Sequence, residues 1–325
     1  MHERVRATVM IPTFDHGPML RSSIPSALGQ TIEDIEIFVV GDGVPEITRE
    51  IVEQFVRGDA RVRFFDNPKG PRHGEIHRHA ALAKARGEIV CYLADDDLWL
   101  PEHVEYMLTL LKEADFAHAL PARIETAGGV FVHPGDLALP FFRRRVLAGM
   151  SFIPLSNAAH TLDMYRRLPY GWRTAPQGTW VIPYMWQQFL SNPSCRVVSG
   201  TRPSVVHFPS TLRSEMALED RVAEIELWAD RMASEDWRQW YEDAVLDFLA
   251  RDRARIWEAN EELEQRSAEL DRVCASTTWR VHARIMTTPW VGRLIRWAAG
   301  RRVRRHRLDS LRPGIARNRH EGSIE

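Results

Sequence analysis

Cysteine is scarce in this chain. Cys91, Cys195 and Cys274 are far apart, odd in number and form no CxxC pair, which argues against a disulfide framework or a structural zinc site and fits a reducing, cytoplasmic compartment. Lysine is nearly missing too, with Lys69, Lys84 and Lys112 standing among 43 basic residues. We read that bias toward arginine as compositional. No uncharged apolar run approaches the roughly 18 residues that a membrane helix needs. The opening MHERVRATVMIPTF has no long apolar stretch before a small-residue cleavage site, so neither an export signal nor a membrane span is expected. Acidic residues are missing over one long stretch: from Met164 through Ser214 there is no Asp or Glu.

With 325 residues, 44% of them hydrophobic, and a formal net charge of -1, the chain can build one large or two modest domains around a proper core. The charge is uneven. Ser276 to Glu325 holds 12 arginines against Asp309, Glu321 and Glu325, so a basic end follows a body that is acidic on balance.

Short β-type runs occur at 5–11, 35–40, 61–65, 88–94 and 115–120, with helix-type patterns in the gaps. That alternation predicts a mostly parallel sheet with helices on both faces, an α/β fold. Ligands gather at the carboxyl ends of such strands. Here those ends read PTFDHG, GDG and ADDD. Any one of them suits a turn or a helix cap. The cluster Asp95, Asp96 and Asp97 is different, because adjacent like charges are kept only where a cation, donors or water offset their repulsion.

The stretch VMIPTFDHGPMLRSSIPSALGQTIEDIEIFVVGDG, followed by a basic helix and YLADDDLWLPEHV, resembles a family-2 glycosyltransferase of GT-A (Rossmann-like) fold over about residues 7–212. The resemblance implies that Asp15 and Asp42, with Thr13, hold the base and ribose of a nucleotide-diphosphate sugar. It places Arg78 at the diphosphate, and Asp95 and Asp96 at the diphosphate and a divalent cation, Mg²⁺ or Mn²⁺. Asp96 is the principal metal ligand, because Ala94 stands where the family more often has a further Asp; Asp97 flanks it, capping a helix or accepting backbone donors. A dication held by one or two carboxylates can offset the charge of a departing diphosphate. His207, on the final strand, is by the same resemblance a candidate third metal ligand, with a satisfied structural histidine as the alternative. His73 and His77 are spaced i, i+4 without a matching third ligand, a weak zinc signal.

An inverting transfer needs a base for the acceptor hydroxyl. Ile182 stands where the family places a carboxylate, so Asp163, or failing that His160, is the candidate. The aromatics Tyr165, Tyr170, Trp172, Trp180, Tyr184 and Trp186 suit either sugar stacking or a core. A hairpin is expected around Gly128 and Gly129.

The expected division is a GT-A domain over 1–212, a helical extension over 213–275, and a basic amphipathic helix and tail over 276–325. Ile256, Leu263 and Leu270 recur every seven residues, a short coiled-coil pattern through which a homodimer is the candidate assembly. STTWRVHARI resembles a segment that follows helical extensions in glycosyltransferases of bacterial surface polysaccharides. Trp290, Val291, Leu294, Ile295, Trp297 and Ala298 share one half of a helical wheel, with an arginine cluster after them. That pattern suits an anionic membrane surface, the inner face of the cytoplasmic membrane. No basic groove for nucleic acid is evident. Two functions stay open: an inverting glycosyltransferase acting on a bacterial surface glycan or lipid-linked acceptor, and a non-catalytic module that binds sugar nucleotide or serves assembly in a polysaccharide biosynthesis complex.

Overall fold

A computed structural model describes residues 4–287; the amphipathic stretch 290–298 and the arginine cluster after it lie outside the described residues. The chain divides into two compact units, one through Arg251 and one from Asp252 onward. The first is built on a seven-stranded sheet. Its strands, in chain order, are β1 (Ala7–Thr13), β2 (Ile35–Asp42), β3 (Val62–Asn67), β4 (Ile89–Tyr92), β6 (Phe116–His118), β9 (Ala158–Thr161) and β10 (Val197–Ser199). Two pairs lie outside it: β5 (Leu98–Trp99) with β11 (Val205–Val206), and the hairpin β7 (Ala122–Ile124) with β8 (Val130–Val132). Gly128, at φ 82°, supplies the left-handed backbone of the hairpin turn, as the sequence predicts.

The strand order is β10-β6-β9-β4-β1-β2-β3. All neighbours run parallel except β9, which is antiparallel to both β4 and β6. Beginning at β1, the chain moves outward through β2 and β3 and then returns to place β4 on the other side of β1. Such a reversal opens a crevice at the carboxyl ends of the strands. The near-continuous burial of ATVMIPT and IEIFVVGD is what a strand covered on both faces requires. Glu36, buried inside β2, accepts from Thr8 Oγ1 at 2.8 Å, from the Arg86 backbone N–H at 2.7 Å and from Arg86 Nε at 3.1 Å, so its burial leaves no unpaired charge.

The helices α1 (Leu20–Leu28), α2 (Glu46–Gly58), α3 (Glu75–Leu82), α4 (His103–Leu110), α5 (Pro140–Leu147), α6 (Leu162–Arg166) and α7 (Val181–Ser191) accompany the sheet. One apolar core joins Val9, Ile37 and Cys91 to α1, α2 and α4, and a second joins Met10, Phe38 and Tyr92 to Trp172, Trp186 and Phe189. A third core takes in α8 (Leu218–Met232) and the opening turns of α9 (Trp237–Ala275): Trp228, Trp237 and Tyr241 pack with Leu98, Leu100 and Val206. Tyr241 Oη donates to the Val205 carbonyl at 2.7 Å. The helical region after residue 213 therefore begins as part of the sheet-bearing unit.

In the second unit, the rest of α9 and α10 (Thr277–Thr287) leave Ile256, Leu263 and Leu270 exposed. No helix among the described residues is long and apolar enough to cross a membrane.

Candidate functional site

The crevice at the strand ends is a pocket of about 450 Å³, within the range of small-molecule sites. β1 ends in Thr13 and the turn after it brings Asp15 and His16, β2 ends in Asp42, the loop before α3 brings Lys69 and Arg72, α3 brings Arg78, and the segment after β4 brings Asp95. Parallel pairing puts these ends at one edge, since Thr13 lies opposite Gly41 and Met10 opposite Tyr92. Thr13, Asp15, Asp42, Arg78 and Asp95, far apart in sequence, thus meet.

Asp42 is the most firmly held. Its carboxylate accepts from the Gly70 backbone N–H at 2.6 Å and from Lys69 Nζ, and His77 Nε2 lies 3.6 Å away. Gly74, the N-cap of α3, has φ 66°, and a Cβ there would come within 2.4 Å of the Asp42 Cγ. A side chain at 74 would force the carboxylate out of place. Asp15, in contrast, is exposed.

Arg78 is buried, with its guanidinium 4.9 Å from the centre of the Trp172 ring. Burial lowers its pKa and nearby Glu75 opposes that, leaving a charged group as arginines normally are. Nη2 donates to the His73 carbonyl at 3.1 Å, while Nε and Nη1 are buried with no partner. Buried unpaired donors are costly, and here they belong to a cation lining the pocket. An anionic ligand would satisfy them. Arg72 is committed elsewhere: at φ 53°, uncommon for a non-glycine, it donates to the carbonyls of Ala175, Pro176 and Thr179.

The three adjacent carboxylates have three sets of partners. Asp95 accepts from Thr13 Oγ1 at 2.7 Å and from His16 Nδ1 at 3.2 Å. Asp96 accepts from Ser210 Oγ at 2.8 Å and from Arg221 Nη2, on α8, at 2.7 Å. Asp97 accepts from His207 Nδ1 at 2.9 Å, from the Phe208 backbone N–H at 2.8 Å and from Ser156 Oγ. Burial, reinforced by the charges of Asp97 and Asp95, pushes Asp96 up to about 6, against the Ser210 hydrogen bond. Burial also works to raise Asp97, but His207, Ser156 and the Phe208 N–H outweigh it and hold that carboxyl below the usual range. For His207, burial acts to lower the pKa and Asp97 prevails, raising it. His16 is raised chiefly by its hydrogen bond to Asp95.

Among the described residues, the group that could hold a metal is His16, Asp95 and Asp96, whose donor atoms lie within 4.8 Å of one another. Two carboxylates and an imidazole fit Mn²⁺, and with added water Mg²⁺. This corrects the assignment of His207 as a metal ligand: its Nδ1 is engaged by Asp97, and it is not one of the three. His16 was legible only as part of PTFDHG, next to the Asp15 that drew attention.

Neither candidate base faces the pocket. β9 runs antiparallel to β4, pairing Thr161 with Ile89, so Asp163 falls at the amino-terminal end of β4 while Asp95 lies beyond its carboxyl end. Asp163 is also exposed and paired with Arg167 at 2.9 Å. His160 is wholly buried, its Nε2 bonded to Tyr92 Oη at 2.7 Å and its Nδ1 to the Thr161 carbonyl, and burial lowers its pKa to about 4. Both assignments fail because the strand carrying them points away from the site. Of the aromatics, Tyr165, Trp172 and Trp186 are core; Trp180 is 71% exposed at the N-cap of α7, and Tyr170 stacks on Tyr184 with Arg173 above it.

The family model for glycosyl transferase family 2 matches residues 8–170, half of the chain. The chain belongs to that family. A GalNAc(5)-diNAcBac-PP-undecaprenol beta-1,3-glucosyltransferase of Campylobacter jejuni is 29% identical over 114 residues, covering 35% of this chain and 36% of that protein. An uncharacterized glycosyltransferase, EpsJ, of Bacillus subtilis is 32% identical over 90 residues, 28% of this chain and 26% of its own. The match to these relatives thus spans about a third of their length or less. Among solved structures, S. aureus TarS 1-349 in complex with UDP-GlcNAc aligns with a TM-score of 0.50 at 15% identity, covering 71% of each chain. That likeness bears on the fold, which is of GT-A type.

Proposed function

We propose that this member of glycosyl transferase family 2 moves a sugar from a nucleotide-diphosphate donor to a hydroxyl of a bacterial surface glycan or lipid-linked acceptor, with inversion. The observation that carries the reading is the convergence of Thr13, Asp15, Asp42, Arg78 and Asp95 on one pocket beside the His16–Asp95–Asp96 group. In this reading Asp42 and Asp15, with Thr13, orient the base and ribose, and Arg78 uses its two unpartnered N–H groups on the diphosphate. A bound Mg²⁺ or Mn²⁺ would supply positive charge beside the departing diphosphate. The undecaprenol in the name of the Campylobacter relative supports a lipid-linked acceptor. The UDP-GlcNAc of the TarS complex makes UDP-sugars the first donors to try.

The test is thermal denaturation of the full chain with UDP-, GDP- and dTDP-sugars, with and without Mn²⁺. A ligand at 100 times its Kd stabilises the folded state by about 2.7 kcal/mol. No stabilisation by any sugar nucleotide would overturn the reading.

A second reading, a non-catalytic sugar-nucleotide-binding or assembly module, is favoured by one observation. The first turn of α7 has no acidic residue, and Ile182 lies within it. Binding of a donor that is neither hydrolysed nor transferred would select it. The sequence pattern of 290–305 supports a peripheral site at the inner face of the membrane. Full-length protein should then sediment with anionic vesicles in a salt-sensitive way, and a chain ending at Thr278 should not.

A further inference from the structure

Arg221 reaches the metal-ligand group from a helix outside the strand ends. It stands in the second turn of α8, with its side chain 11% exposed. Its Nη2 donates to Asp96 Oδ2 at 2.7 Å and lies 3.3 Å from Ser210 Oγ, and its Nη1 lies 3.1 Å from His16 Nε2. A guanidinium has only donors. His16 Nε2 can meet it only as an acceptor, with the ring proton on Nδ1, directed at Asp95 Oδ1 at 3.2 Å. This tautomer follows from the hydrogen-bond network. A carboxylate that orients one ring nitrogen so that the other turns its lone pair to a metal is a recurrent second-shell arrangement. In this protein the lone pair is turned to Arg221.

The guanidinium therefore occupies acceptor atoms on two of the three residues of the candidate metal group. The one lone pair of His16 Nε2 serves a donor or a metal, not both. Oxygen ligands to Mg²⁺ lie about 2.0–2.1 Å from the ion, so an ion on Asp96 Oδ2 and His16 Nε2 would sit where the guanidinium nitrogens meet those atoms, and the like charges repel. Two further observations describe how Arg221 is held. Its Nε is buried with no hydrogen-bond partner, so the side chain reaches the cluster with one donor unsatisfied. The backbone beneath it is fixed: Ile225 and Trp228 of α8 pack with Met19, three residues after His16. Arg213 Nε donates to Glu224 Oε2 at 2.6 Å, tying α8 to the segment before it. Release of Arg221 is then a side-chain rotation and needs no movement of the helix.

We propose that Arg221 is a built-in counter-ion of the His16–Asp95–Asp96 group, which a divalent cation must displace before it binds Asp96 and His16. The inference rests on the metal-assisted reading of the donor site. Its consequence is a metal site with an internal competitor: Arg221 neutralises Asp96 in the ion-free protein and weakens metal binding by the same contact.

The experiment is direct titration of the full-length, metal-free protein with Mn²⁺, following free Mn²⁺ by electron paramagnetic resonance, for wild type, Arg221→Met and Arg221→Lys. Arg221→Met is expected to bind Mn²⁺ at least about tenfold more tightly, because the pair it breaks leaves a buried carboxylate that the ion can neutralise. Arg221→Lys should lie nearer wild type, and adding His16→Ala to Arg221→Met should remove the gain. Thermal denaturation gives a second readout: in EDTA Arg221→Met should melt below wild type, and Mn²⁺ should close the gap. Unchanged or weaker Mn²⁺ binding by a folded Arg221→Met would overturn the proposal; if that variant does not fold, the same result with a folded Arg221→Gln would do so. UDP titrated into the same samples separates the two readings. Nucleotide binding without tighter Mn²⁺ binding sinks the counter-ion alone, and loss of both sinks the donor site.

Discussion

On one side of the cleft, Asp42, Asp95 and Asp96 stand at or just beyond the ends of parallel strands, each with donors of its own. Outside the lining of that pocket, Trp180, Tyr170, Tyr184 and Arg173 stand on the chain leading into α7 and within that helix, in a stretch with no carboxylate from Met164 through Ser214. The first side is rigid because the sheet buries both faces of the strands that carry it, and it recurs in sequence as Asp at strand ends. The second is surface chain laid over a scaffold, which is where specificity varies most freely. The contrast teaches that groups fixed at strand ends can be read from sequence, while the placement of surface residues outside them cannot.

The strongest way to break the comparison is to attack the carboxylate that anchors the strand-end side. Asp97 joins the end of β4 to His207, Phe208 and Ser156. Removing one partner of a buried ion pair costs about 3–5 kcal/mol, so Asp97→Ala should lose about that much in urea denaturation, and a loss below about 1 kcal/mol would show the carboxylate to be dispensable.

Acid sharpens the contrast next. In the scaffold, burial lowers His103 to about 3 and His118 and His160 to about 4, from an ordinary value of 6.5. Between those values the unfolded chain binds more protons than the folded one, so their contribution is complete above 6.5 and is lost as pH falls. His207 has the opposite sign: burial works to lower it but Asp97 raises it, so its contribution is present below 6.5 and lost as pH rises through its raised folded value. Burial lowers His133 to about 4 as well, and together the depressed groups outweigh His207 and the raised His16 and Asp96. Stability should fall by about 2–3 kcal/mol from pH 6.5 to 5.5, and more steeply in His207→Gln. Stability that rises on acidification would contradict the buried-neutral assignment.

Ligand binding should separate the two sides more gently. Asp42→Ala removes hydrogen bonds to a charged group, worth about 1.5–3 kcal/mol, and should weaken nucleotide binding roughly 10- to 100-fold by calorimetry. Trp180→Ala should leave it within about twofold. The smallest effect expected is on stability at the same residue. With Trp180 71% exposed, its replacement by Ala should change unfolding free energy by no more than about 0.5 kcal/mol; a larger loss would place that ring in a contact of structural weight.

Much of the donor side was legible because it rests on short-range rules. Apolar runs of strand length alternate with helical patterns, and Asp15, Asp42 and Asp95 close such runs, so their convergence follows from a parallel sheet. His16 and Arg221 were not legible. His16 looks like a turn residue beside a more prominent Asp, and Arg221 sits among charged residues of a helix, where arginine is commonplace. Asp163 and His160 were misplaced for one reason: AAHT gives no local sign of strand direction, and its antiparallel pairing with β4 sends the following residues to the far edge of the sheet.

Local pattern was therefore enough to establish five of the seven strands of the central sheet, the helices between them, the carboxylates at their ends and the acidic void in the second half, because each depends on neighbours within a few residues; β9 (Ala158–Thr161) and β10 (Val197–Ser199) were not legible. Which partner each aspartate of ADDD takes was decided by packing alone. Thr13 and His16 come from β1 and its turn, Ser210 and Arg221 from the region that closes the sheet-bearing unit, and His207 from beside β11. Those partners are brought within hydrogen-bond distance by burial of apolar faces elsewhere in the fold, and apolar burial is non-directional, so no spacing in the sequence records the result.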